Sequence, residues 1–146
     1  MTSELNQLFV RDLGRLQTEI ENFQNESNIW KTTGTVSNSA GHLTLHLCGN
    51  LRHFIGHVLG GSEYIRNRTN EFSSSPISVK ELCKEIEITK AEVIKTLANI
   101  DSKILSQNFP VNVFKKEMTT AFFLIHLQGH LNYHLGQINY LKKTLE

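Results

Sequence analysis

Apolar residues recur with a helical period in four stretches of the chain. Between residues 4 and 23, Leu5, Leu8, Phe9, Leu13, Leu16, Ile20 and Phe23 fall on one stripe, with Arg15, Glu19 and Glu21 off it. A period near 3.6 with polar residues opposite predicts an amphipathic helix. Ser3 is placed to cap its start. The segment 24–37, QNESNIWKTTGTVS, is polar and turn-rich and ends that helix. Trp30 within it reads either as a plug over the end of the core or as a ligand contact. A second helix is expected from the capping run Ser37-Asn38-Ser39 to the stop signal Gly60-Gly61. Residues 61–77 read as a loop ending in SSSP.

Ser78 and Glu81 then form a capping-box pattern that opens a third helix. Val79, Leu82, Ile86, Val93, Leu97, Ile100 and Ile104 carry its stripe to about residue 105. Its charged residues, among them Lys84, Glu85, Lys90 and Glu92, form a solvated face. Residues 106–118 are a connection, since Pro110 cannot sit inside a continuous helix. Thr119 or Thr120 caps a fourth helix that runs nearly to the C-terminus. Four amphipathic helices, three polar connections and no convincing strand predict an all-α fold, a four-helix bundle, as a single domain over 1–146.

Composition narrows the function. A net charge of +1 argues against a nucleic-acid binder, which needs a strong basic bias. Apolar runs such as AFFLI are too short for a membrane span. MTSELNQLF lacks the charged and apolar regions of a signal peptide. The two cysteines, Cys48 and Cys83, read as reduced thiols of a cytoplasmic protein. No G-x-S-x-G elbow, P-loop or G-x-G-x-x-G occurs.

The histidines change the picture most. His126, His130 and His134 are spaced by four in AFFLIHLQGHLNYHLGQINYL, so they stack on one helix face. The other four, His42, His46, His53 and His57, lie within about 60° of one another on the second helix. A single helical histidine is ordinarily exposed or a satisfied core group. All seven on two coherent stripes point to a metal site between the second and fourth helices. His53 and His57 lie too far along the axis to share an ion with His46, and they read as structural or interfacial. His126 is a candidate proton shuttle or outer partner of a ligand. Cys48 sits about 200° around the helix from His46 and faces away. Glycines at 49, 56 and 60, and a heptad pair at 129 and 136, mark either tolerated weakness, close helix approach or space beside the histidines.

HLCGN in the second helix and HLNYHLGQI in the fourth resemble the histidine motifs of the DinB-like superfamily of metal-binding four-helix bundles, which includes YfiT-like proteins and bacillithiol transferases. The resemblance implies paired ligands at His130 and His134 and a third at His46, with His42 as the alternative. It implies a divalent metal, zinc or nickel before iron, with positions left for water or substrate. Asn50 and Gln137 are then either partners that orient the ligands or ordinary bundle polar residues. The implied activity is a metal-dependent enzyme acting on a small molecule, such as transfer of a low-molecular-weight thiol to an electrophile, or a related isomerisation or hydrolysis. The alternative is a non-enzymatic metal-binding or stress-response module. The resemblance also implies a homodimer.

Overall fold

The computed structural model describes residues 1–146 and is helical, with one isolated bridge between Asn108 and Thr119 in place of any strand. Its six α-helices, rather than four, are α1 Thr2–Glu21, α2 Ala40–Leu51, α3 Arg68–Ser73, α4 Val79–Leu97, α5 Ser102–Ser106 and α6 Thr120–Leu145. The long helices α1, α2, α4 and α6 form the bundle. α1 packs on α4 and α6, and α2 packs on the same two. So α2 and α6, the histidine helices, are neighbours along one side, as a shared ion requires.

Local chemistry explains most boundaries. Ser39 caps α2 by accepting from the His42 amide, and Thr119 caps α6 by accepting from that of Phe122. The capping box at Ser78 is complete: its amide donates to Glu81 at 2.8 Å and the Glu81 amide donates back at 3.2 Å. Ser3 is not a cap, because α1 already starts at Thr2 and the Leu5 amide bonds the Met1 carbonyl. α2 continues without a gap into a π-helical segment, Arg52–Leu59, and stops where Gly61 takes a φ of +69°. The helix expected to reach residue 105 ends at Leu97. There Asn99 folds its amide back onto the Lys95 carbonyl, and Asp101 caps α5 as a separate helix. The expected loop 61–77 contains α3, capped by Asn67.

A core of 28 buried apolar residues draws on all four long helices. Phe9, Leu13, Leu16 and Ile20 of α1 are fully buried, each contributing about 1.5–3 kcal/mol. Asp12 is fully buried among them. Arg11 donates to it at 2.8 and 3.0 Å, and Arg15 at 3.1 Å. From α6, Gln128 donates at 2.5 Å and Asn132 at 2.8 Å. Burial pushes the Asp12 carboxyl up, but these donors outweigh it and hold it below the usual range. Gln128 and Asn132 lie roughly opposite His130 and His134 around α6. The Asp12 anchor therefore sets the rotation at which α6 presents its histidines to α2. Trp30 is a plug: its ring lies where a Cβ at Gly41 would stand, with its edge toward His42.

Candidate metal centre

Three imidazoles converge between α2 and α6. His130 Nε2 lies 3.2 Å from His46 Nε2 and 3.1 Å from His134 Nε2. One ligand nitrogen from each residue falls within 4.8 Å of the others. Four-residue spacing on α6 stacks His130 and His134, and the α2–α6 contact brings His46 in from the facing helix. Tetrahedral ligation at a Zn–N distance near 2.0–2.1 Å puts neighbouring nitrogens about 3.3 Å apart. The donor set therefore has the chemistry and nearly the spacing of a three-histidine metal site.

The outward nitrogens decide the direction of the lone pairs. His46 Nδ1 faces Glu71 Oε1 at 3.0 Å, and His134 Nδ1 faces Gln137 Oε1 at 2.7 Å. Both oxygens only accept, so both Nδ1 atoms carry the proton and both Nε2 atoms turn a lone pair inward. A proton on His130 Nε2 would satisfy one of those lone pairs, whereas a cation satisfies all three rings. His130 Nδ1 is buried without a partner. Burial, helped by His134 and His46, pushes the His130 pKa down to about 4. Burial also lowers His134, against the opposing effect of Gln137. Both rings are thus neutral at pH 7, the state that binds metal.

Behind His46 stands a layer absent from the sequence reading. α3 delivers Glu71, which is 6% exposed. Arg66 clamps its two oxygens with a fork of 2.9 and 2.9 Å bonds. Burial raises the Glu71 carboxyl, yet the His46 and Arg66 donors hold it below its usual range, so it is ionised. A Cβ at Gly49 would collide with the Glu71 carboxylate. Gly49 therefore leaves the space in which Glu71 reaches His46. Phe72, also on α3, packs its ring 4.7 Å from that of His46. The segment 61–77 shows no long apolar period, which is why it reads as loop. The signal was Gly49, a glycine three residues beyond a histidine inside a buried helix.

The remaining candidates separate clearly. His42 Nε2 donates to the Ser74 carbonyl at 3.0 Å, and its Nδ1 meets the Ser39 hydroxyl at 3.0 Å. Both its nitrogens are used one turn away from the cluster. His53 and His57 stack on each other at 6.0 Å, and His57 Nδ1 donates to the Ser62 carbonyl. His126 is exposed, with its ring stacked on Phe123 and 6.4 Å from that of His130. Gln137 touches a cluster histidine. Asn50 does not: it is buried, and its Oδ1 has no partner. Cys48 is 2% exposed, and burial pushes its thiol up to about 12, so it supplies no thiolate. Burial and the nearby Glu21 raise the Cys83 thiol to about 11.

A cleft of about 430 Å³ opens beside the cluster, with His134 and Gln137 in its wall. Thr35, Asn38, Tyr133 and Tyr140 line it further. No helix is long and apolar enough to cross a membrane. Residues 5–146 match the family described as "Protein of unknown function (DUF1572)". None of the curated proteins matches the chain.

Proposed function

The chain belongs to the DUF1572 family, and we propose that it is a DinB-like, metal-dependent enzyme in which His46, His130 and His134 hold a divalent ion, zinc or nickel. The observation that carries the reading is the convergence of three imidazole Nε2 atoms while two of the rings donate outward to Glu71 and Gln137. When bound, such an ion lowers the pKa of a water or thiol and supplies a nucleophile near pH 7. The chain's own groups do the rest. Glu71 and Gln137 fix ring orientation and tautomer, α3 and Phe72 keep bulk water from the back of His46, and the cleft beside His134 admits the substrate. A low-molecular-weight thiol is the proposed substrate, its sulfur bonding an electrophilic carbon while the thiol proton and the leaving group depart. A non-enzymatic metal-binding or stress-response module favours a closed, four-ligand site. No fourth His, Cys, Asp or Glu joins the group, which favours the enzyme.

The test is metal analysis of untagged protein, followed by a screen of small thiols against electrophiles with and without chelator. One equivalent of zinc or nickel per chain and chelator-sensitive turnover are expected. Protein that takes up neither metal stoichiometrically overturns the proposal.

A further inference from the structure

The cleft beside His134 draws its walls from two places. α6 supplies Tyr133, Gln137 and Tyr140, spaced by four and three so that they share one helix face. The stretch 33–37 supplies the hydroxyls of Thr33, Thr35 and Ser37. That stretch is held as a turn. The Val36 amide bonds the Thr33 carbonyl at 3.1 Å, and Gly34 takes a φ of +57°, which a side chain would strain. Asn38, beside the Ser39 cap of α2, adds an amide. Apart from His134, none of the 12 residues around the cleft is His, Asp, Glu, Lys or Arg. Charged residues make up 20% of the chain, so a wall of that size would ordinarily carry about two. The charges adjacent in sequence are engaged elsewhere. Lys31 donates to Asn28 at 3.0 Å, Lys142 pairs with Glu19 at 2.6 Å, and Glu146 accepts from the amides of Gln24 and Asn25. Lys143 lies over the Tyr140 ring at 5.8 Å, exposed and outside the wall.

We propose that the molecule this cleft receives is uncharged: a small thiol whose body carries amide or hydroxyl groups and no carboxylate, phosphate or ammonium. The inference rests on the proposed metal-dependent reaction for the thiol, and on the cleft alone for the charge. An anion entering the cleft gives up part of its water and finds no cation in the wall to replace it. Sites that select carboxylates or phosphates present an arginine fork or a lysine. Here the guanidinium beside the histidines, Arg66, is committed to both oxygens of Glu71 behind His46. An ammonium meets no carboxylate in the wall either. An amide or hydroxyl, by contrast, exchanges water for threonine, serine and asparagine side chains nearly evenly. Gln137 has one half committed. Its Oε1 accepts from His134 Nδ1 at 2.7 Å, which leaves its Nε2 hydrogens for a carbonyl or hydroxyl oxygen of the incoming molecule. One side chain therefore orients a proposed ligand and offers a donor to the thiol's body. The Tyr133 and Tyr140 rings, 65 and 73% exposed, give that body apolar surface to lie on. The volume of about 430 Å³ is at the small end of ligand sites, about 300–1,000 Å³.

Matched probes isolate the charge. N-acetylcysteine amide and N-acetylcysteine share a skeleton and a thiol and differ by one carboxylate. N-acetylcysteamine and cysteamine differ by one ammonium. Each is titrated into the full chain, apo in chelator and zinc-loaded, and read by NMR at the side-chain amides of Asn38 and Gln137. In apo protein the uncharged member of each pair is expected to bind about tenfold tighter, the penalty of one poorly paired charge. Thr35→Lys puts a cation on the exposed turn. It is expected to narrow or reverse the first preference and to leave the second. Equal or tighter binding of a charged member overturns the proposal, the acid pointing to an anion site and cysteamine to cation–π capture by the tyrosines. A titration in which no probe moves Asn38 or Gln137 also overturns it, as does a preference indifferent to Thr35→Lys. The two readings fail separately. Chelator-sensitive turnover that ignores charge removes this inference and leaves the enzyme. A chain that takes up no metal removes the enzyme, and the apo titrations still decide the character of the cleft.

Discussion

Glu71→Gln tests whether the carboxylate behind His46 orients the proposed ligands, as distinct from the three histidines themselves. Glutamine keeps the length of the side chain and fits the space left by Gly49, so no cavity or clash accompanies the change. It removes the charge that pairs with Arg66 and accepts from His46 Nδ1 at 3.0 Å. Two consequences differ in size and in assay. The amide still offers an oxygen to His46, but a neutral acceptor makes the imidazole a weaker base and holds it less firmly. Loss of such an outer partner typically lowers metal affinity 10–100-fold, or about 1.4–2.7 kcal/mol. The second consequence is felt without metal. Arg66 is 12% exposed at its side chain and loses its counter-charge, and breaking a buried pair from one side costs about 3 kcal/mol. Zinc affinity is read by competition with a chromophoric chelator, and apo stability by urea unfolding in chelator. The reasoning predicts both losses, with Glu71→Ala worse than Glu71→Gln in the zinc assay. Zinc affinity within twofold of the parent, in a variant that shows the stability loss, would refute a metal-orienting role and leave Glu71 as a fold-holding ion pair.

Four further outcomes are expected. His130→Ala and His134→Ala should each lose stoichiometric metal while staying helical; atomic absorption that finds full loading in both would defeat the assignment. His46→Ala should weaken metal strongly, and His42→Ala should change calorimetric affinity less than threefold, because both His42 nitrogens are bonded elsewhere; the reverse order would move the site one turn toward the N-terminus of α2. Cys48→Ser should leave metal content and any turnover nearly intact, since the thiol is buried and protonated; lost turnover in a folded, loaded variant would revive cysteine chemistry. Stability should fall in acid through Asp12: its folded pKa lies below the ordinary 3.8, so its contribution is complete above about pH 4 and is lost as pH falls through the folded value. Asp12→Asn should flatten that acid limb in urea titrations between pH 5 and 2, and an unchanged limb would count against the anchor.

What the sequence made readable was what repeats. Long apolar stripes located the bundle helices, and capping residues at Ser39, Ser78 and Thr119 set their starts. Four-residue spacing put His130 and His134 on one face before any packing was considered. Periodicity could not locate breaks, because Ile100 and Ile104 continue the α4 stripe in register across a chain that has already left the helix at Leu97. Nor could it find groups whose partners are remote in sequence. Asp12 reads as an ordinary polar residue on α1, yet it is buried against Gln128 and Asn132, about 120 positions on. Glu71 sits in a segment without a long stripe and becomes legible only once α3 lies on α2. The glycines show the same division most sharply. Gly49, inside a buried helix, makes room for a carboxylate, while Gly129 and Gly136, on an exposed face, make room for nothing in their own chain. A residue without a side chain is informative only through what approaches it. For Gly49 the approaching group belongs to this chain. For the α6 pair no group of this chain comes within 4 Å, so neither glycine is explained by packing within its own fold.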